Sequence, residues 1–241
     1  MKILALKEYF VAFLVSLFFF ALASGYMGLQ FGVLDNFMLN RALGEASLLN
    51  LALVLLIGPL SRLYDRFDRW LLYRKEIGVF AFFSAAAHFL ISGLGLPGRT
   101  WLGFYGRNPQ SFFTGLGALV IFALLFILSL EFIISKLPRK LWWLAQNWGA
   151  RIAGILIIAH VVLLRQAAWI AWFERGNTAQ MAMKFLPPIT VLSGIVTVAV
   201  ILVRLSEFLG RRIGRLIVAL WLLAIPIAWA AATYWTFLKT R

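Results

Sequence analysis

Apolar residues fall in seven long runs, separated by short polar stretches rich in Lys and Arg. The runs cover approximately 9–29, 46–63, 78–96, 113–134, 143–164, 187–205 and 213–234. Each is close to the roughly 20 residues a helix needs to cross the ~30 Å hydrocarbon core of a bilayer. The pattern predicts an all-α, polytopic transmembrane helix bundle of about seven spans, a single integral membrane domain over residues 1–241. The first run follows Lys2 and Lys7, and Ala21-Leu22-Ala23 resembles a cleavage site. Its apolar stretch is too long for a signal peptide, so it is expected to remain as the first span.

Composition narrows the class. Hydrophobic residues make up 63% of the 241 and charged residues 13%, where soluble domains run nearer half and a quarter. Such a chain cannot cover itself with polar surface, which excludes an ordinary soluble enzyme and a disordered protein. With no Cys, a disulfide scaffold, a thiolate nucleophile and Cys-ligated zinc or iron–sulfur centres are excluded too. The net charge of +14 lies mostly in the short loops. There it signals topology and contact with anionic lipid rather than nucleic acid. With the N-terminus cytoplasmic, fifteen of the 23 Lys and Arg fall on the inner side and eight on the outer, which supports that orientation. No internal repeat, nucleotide-binding glycine motif or additional soluble domain is legible.

The two histidines, His88 and His160, lie deep in spans three and five. A polar ring at membrane depth is a functional hypothesis by default. Spans three and five run parallel, and both histidines fall in the outer half of the bilayer at 1.5 Å per residue. Two imidazoles so placed can clamp one iron from opposite faces, as in bis-histidine ligation of a non-covalent b-type haem (heme b). The alternative is that each is a packed polar residue bonded to a neighbouring helix. Small residues near them, including Ala85, Ala86, Gly154 and Ala159, remove bulk where a flat macrocycle would sit; their other reading is close helix packing.

Three stretches carry a resemblance to the ferric-reductase-like transmembrane family. Span two ends in Ile57-Gly58-Pro59-Leu60-Ser61-Arg62. Span three opens with Arg74-Lys75 and continues through Gly78 and a Phe-rich stretch to His88. Span four opens with Thr114-Gly115-Leu116-Gly117. With His160 on span five, these define a ferric-reductase-like core over 46–164, followed by two further spans over 187–241. The chain is most similar to the bacterial branch, the haem-binding membrane subunit of the periplasmic methionine sulfoxide reductase system. The resemblance implies a six-helix core plus one span, in the bacterial inner (cytoplasmic) membrane. It also implies where the sequence departs. Two-haem members carry further histidines at the positions of Arg74 and Asn147, and neither residue is a normal haem ligand. One haem is therefore implied, on the outer side, held by His88 and His160.

Haem propionates need cationic partners. Arg165, five residues beyond His160, is the first candidate and Arg99 in the outer loop the second. The alternative for Arg165 is an interfacial, snorkelling arginine. Glu131 and Arg151 fall at similar expected depth on consecutive spans and are expected to form an ion pair, or else to line the space of the missing inner haem as a quinone or proton site. The function implied is a membrane cytochrome b relaying single electrons between a quinol or reductase donor and an extracytoplasmic or membrane partner. A quinone is the second candidate cofactor. The chain is expected to be an electron-transfer subunit rather than a self-contained enzyme. Two other readings stand beside it: a structural subunit of a larger membrane complex with a degenerate fold, and a transporter, which the scarcity of polar span residues disfavours.

Overall fold

The computed structural model describes residues 2–96, 98, 100–178 and 181–240. Among the described residues nine α-helices follow one another: α1 (Lys2–Phe31), α2 (Asn36–Leu63), α3 (Arg74–Leu90), α4 (Trp101–Arg107), α5 (Pro109–Ile127), α6 (Glu131–Ile134), α7 (Arg139–Arg175), α8 (Ile189–Ser206) and α9 (Arg211–Lys239). A 3₁₀ segment, Asp65–Tyr73, leads into α3, and a π-helical turn, Ile91–Gly95, follows it. Seven helical stretches among the described residues are long and apolar enough to cross a membrane, as the hydropathy pattern requires. Many large apolar side chains point outward, Phe10, Leu102, Leu222 and Ile227 among them, and lipid is the solvent that suits them. The protein is an integral, multi-pass membrane protein.

Helix α2 is the axis of the bundle. Sixteen of its 28 residues are buried, against three of the 29 in α9. It contributes Leu51 to a cluster with Ala81 of α3, Phe122 of α5 and Ala153 of α7. It meets α1 and α8 through Met38 and Ala42, and α8 and α9 through Leu63. The fully buried alanines at these crossings let backbones approach closely, which is how helices associate where lipid supplies no hydrophobic drive.

Several span boundaries differ from the sequence reading, and at two of them the structure shows the physical reason. Helix α2 begins at Asn36, ten residues before the expected start. Asp35 caps it by accepting the Met38 amide at 2.8 Å. Its first turns carry Asn40, Arg41 and Glu45, polar residues that face protein rather than lipid and so escape a hydropathy window. Helix α5 stops at Ile127, seven residues before the expected end of span four. There Ser129 and Gln146 donate to the Leu125 carbonyl at 2.7 and 3.1 Å, and the Trp142 indole donates to the Leu128 carbonyl at 2.8 Å. These side chains satisfy the carbonyls that the helix end releases. Glu131 is consequently exposed on the short helix α6, outside the span. The expected Glu131–Arg151 ion pair is absent among the described residues. Arg151 instead lies over the Trp148 ring, 4.9 Å from its centroid.

A basic end of the bundle gathers Arg62, Arg74, Lys75, Arg204, Arg211 and Arg215. The buried part of its polar network starts from a proline. Pro59 has no N–H, so the Leu55 carbonyl one turn back loses its helical donor. Arg204 of α8 donates Nη1 to that carbonyl at 3.4 Å, and Gly58 makes room for it. A Cβ at Gly58 would lie 2.8 Å from Nη1. The guanidinium also pairs with Glu207 at 2.9 Å, and Glu207 pairs with Arg62 at 2.9 Å. The Glu207 side chain is 4% exposed and that of Arg62 62%. Removing one partner of a buried pair strands the other, at about 3–5 kcal/mol. An exposed pair contributes about 0–1 kcal/mol. Glu207→Ala is therefore expected to cost several kcal/mol and Arg62→Ala less than about 1 kcal/mol. Thermal unfolding in detergent micelles checks the contrast, and equal losses would contradict it.

Candidate functional site

At the end of the bundle opposite the basic face, four helices hold the two histidines in the same manner. His88 sits in the last turn of α3. Its Nδ1 donates to the backbone carbonyl of Asn40 on α2 at 2.7 Å. His160 sits on α7, and its Nδ1 donates to the backbone carbonyl of Ser111 on α5, also at 2.7 Å. Each contact fixes the tautomer. A neutral ring that donates through Nδ1 keeps its lone pair on Nε2, which is then left as a base or ligand. Metal-binding histidines are held in this way, by a second hydrogen bond from the other ring nitrogen.

Side-chain hydroxyls brace both arrangements. The Ser92 hydroxyl donates to the His88 carbonyl at 2.7 Å and accepts from the Asn40 amide at 2.8 Å. The Ser111 hydroxyl donates to the His160 carbonyl at 3.1 Å. Ser92 belongs to the π-helical turn that immediately follows α3, an irregularity often found at functional sites. That turn also gives Trp101 a seat over Gly93, where the indole donates to the Phe89 carbonyl at 3.1 Å and stacks on the Phe89 ring.

Glycine makes room for each ring. A Cβ at Gly44 would lie 3.3–3.5 Å from three atoms of the His88 imidazole. A Cβ at Gly115 would lie 2.7 Å from Nδ1 of His160 and 3.0 Å from its Cε1. Gly154, expected from the sequence to clear space near the histidines, instead packs against Leu55, which a Cβ would approach to 3.2 Å. It serves the crossing of α7 with α2. Arg165 is partly buried, and its charge bears on both His88 and His160. Arg99 lies outside the described residues.

A further group escaped the sequence reading. Glu45, beside Gly44 on α2, is buried and hydrogen-bonds to Ser193 of α8. The charges of Arg41 and Arg165 both bear on it, and its Oε2 is without a hydrogen-bond partner. It falls just before the expected start of span two, which concealed it. The signal for Gly115 was present in Thr114-Gly115-Leu116-Gly117, but nothing in the spacing ties that motif to His160.

The positions of the expected inner-haem departures lie together at the basic end. Arg74 and Asn147 both line one cavity, and Asn147 accepts from Nη2 of Arg204 at 3.4 Å. Among the described residues no group of three or more His, Asp or Glu gathers as it would for a chelated metal ion. At the opposite end the two histidines each commit Nδ1 to a backbone carbonyl.

Residues 43–157 match the family model described as "Ferric reductase like transmembrane component". The match takes in Gly44, His88, Ser111 and Gly115 and stops three residues short of His160. It is a likeness to membrane electron-transfer components. A search of curated proteins returns no match. The hydrogen-bond geometry makes its own prediction. In haem-free protein labelled with ¹⁵N-histidine, both rings are expected in the Nδ1-protonated tautomer by solid-state NMR. Gly115→Ala is expected to shift His160 and cost about 1–3 kcal/mol as an overpacked site. Gly44→Ala, whose Cβ has more room, is expected to perturb His88 less; the reverse order would contradict the packing.

Proposed function

We propose that the chain is a membrane cytochrome of b type that relays single electrons, with one haem held axially by His88 and His160. The observation that carries this is the matched state of the two rings. Both spend Nδ1 on a backbone carbonyl of a neighbouring helix, both keep Nε2 free, and both lie against a glycine. A packed histidine with no further role would be as well satisfied bonding through either nitrogen. With imidazole on both faces, such a haem exchanges electrons one at a time and does not readily take up oxygen.

The chain's own residues divide the work. Asn40 and Ser111 hold the rings in register through their carbonyls, and Ser92 stiffens the first of these contacts. Gly44 and Gly115 keep Cβ atoms away from the ring planes. Arg165 supplies positive charge beside the pair and is the candidate partner for propionates. Heme b is the cofactor proposed, one per chain, because Arg74 and Asn147 offer no ligand at the basic end. The donor is a quinol or a separate reductase, and the acceptor a protein on the outer side or in the membrane. The methionine sulfoxide reductase system of the bacterial inner membrane is the precedent for such a partnership.

A structural subunit of a larger membrane complex is the second reading. The bond from Arg204 to Asn147 favours it, because a ligand position has been turned to holding helices together. A reduced-minus-oxidised absorption spectrum of purified protein, with haem counted per chain, separates the two. One b-type haem per chain, lost in His88→Ala and in His160→Ala, is the expected result. Two haems per chain would overturn the assignment of Arg74 and Asn147. A folded, haem-free protein would leave the structural reading in front.

A further inference from the structure

A cavity of about 240 Å³ opens among α2, α3, α5 and α7 at the basic end. It is distinct from the histidine site. Its α3 wall runs over Arg74, Lys75, Gly78 and Val79, and His88 lies ten residues beyond Gly78, about 15 Å along the helix. No histidine or methionine lines it, so it has no normal axial ligand for haem iron. No acidic side chain lines it either, while Arg74 and Lys75 do. The cavity therefore suits a group that accepts hydrogen bonds.

The polar atoms of the wall are specific. Nε of Arg74 is buried with no hydrogen-bond partner, a costly state in a membrane interior. Asn147 spends Oδ1 on Arg204, which leaves its NH₂ to donate. Gln146 spends Nε2 on the Leu125 carbonyl and the Ser129 hydroxyl at 3.1 Å each, which leaves Oε1 to accept. The wall thus offers donors at Arg74, Lys75 and Asn147 and an acceptor at Gln146. Flat aromatic faces complete it. Trp142 is pinned through its indole to the Leu128 carbonyl, and Phe126 stacks on Phe82 at 5.2 Å.

Size and access narrow the ligand further. Pockets for drug-sized molecules run from about 300 to 1,000 Å³, so this one takes a single ring and leaves any tail outside. Its lining residues Trp143 and Leu71 are 52% and 41% exposed, so the cavity opens to the surface beside large apolar side chains. We infer that this cavity is a binding site for the head of a membrane quinone. The oxidised ring's carbonyls accept from Arg74 and Asn147, and the reduced ring's hydroxyl donates to Oε1 of Gln146. An anionic phospholipid would use the cations but not the amide acceptor or the aromatic planes. That the occupant feeds the histidine pair rests on the relay reading above; the binding itself does not.

Equilibrium dialysis of the purified full-length protein against a decyl-substituted benzoquinone tests the site. Saturable binding of one molecule per chain is expected. Ala150→Leu, which fills the cavity, and Arg74→Gln, which removes a donor, are each expected to weaken it at least tenfold. Thermal unfolding identifies any variant that has lost its fold, and the wild-type stoichiometry stands apart from both variants. His88→Ala is expected to bind the quinone as the wild type does, so failure of the relay reading leaves this result in place. Absence of saturable binding overturns the site. So does binding unchanged in both folded variants, or displacement of the quinone by phosphatidylglycerol but not by phosphatidylcholine.

Discussion

Burial of α2 on nearly all sides is the constraint from which the rest follows. A helix so enclosed leaves few polar groups to lipid or water, so each of its buried polar positions has a protein partner or carries a cost. The Ser47 hydroxyl donates to the Ala81 carbonyl, and Asn50 accepts from Ser16. The Asn40 carbonyl receives His88. The Leu55 carbonyl, released by Pro59, receives Arg204. The two ends of α2 thus organise two different sites. One is built around an imidazole and the other around a guanidinium, and both depend on a glycine, Gly44 or Gly58, that lets the side chain reach the backbone.

The histidine site repeats one device on two helix pairs. In α2/α3 and again in α5/α7, a ring on the second helix donates to a carbonyl on the first and lies against a glycine of the first. Two rings far apart in sequence are thus treated alike. Glu45, Arg41 and Arg165 add ionisable groups near the same end. Their arrangement places a carboxyl with one unpartnered oxygen within the influence of two cations.

The opposite end is held by polar and ionic contacts. At Asn147 an amide takes a hydrogen bond from Arg204, whose carboxylate partner Glu207 also binds Arg62. A cavity lies beside these contacts with Arg74 in its wall. The same end therefore combines structural ion pairing with space for a small aromatic guest.

Much of this was legible from the chain alone. Seven spans, an all-helical fold and two candidate ligands follow from hydropathy and from the rarity of histidine, because lipid tolerates few alternatives. Span ends were misjudged where polarity faced protein. The hydropathy of Asn40, Arg41 and Glu45 is that of a loop, yet they lie in a buried helix, and α5 ends early because side chains from α7 reach its last carbonyls. The roles of individual glycines were not legible either. Gly154 and Gly115 are equally small, and only the rotation of α7 against its neighbours decides that one faces Leu55 and the other His160. Composition and periodicity fix which segments enter the membrane, since transfer into lipid is a property of each segment. Partner choice for a ring nitrogen, a guanidinium or a glycine is a property of pairs of helices, and it is set only when those helices pack.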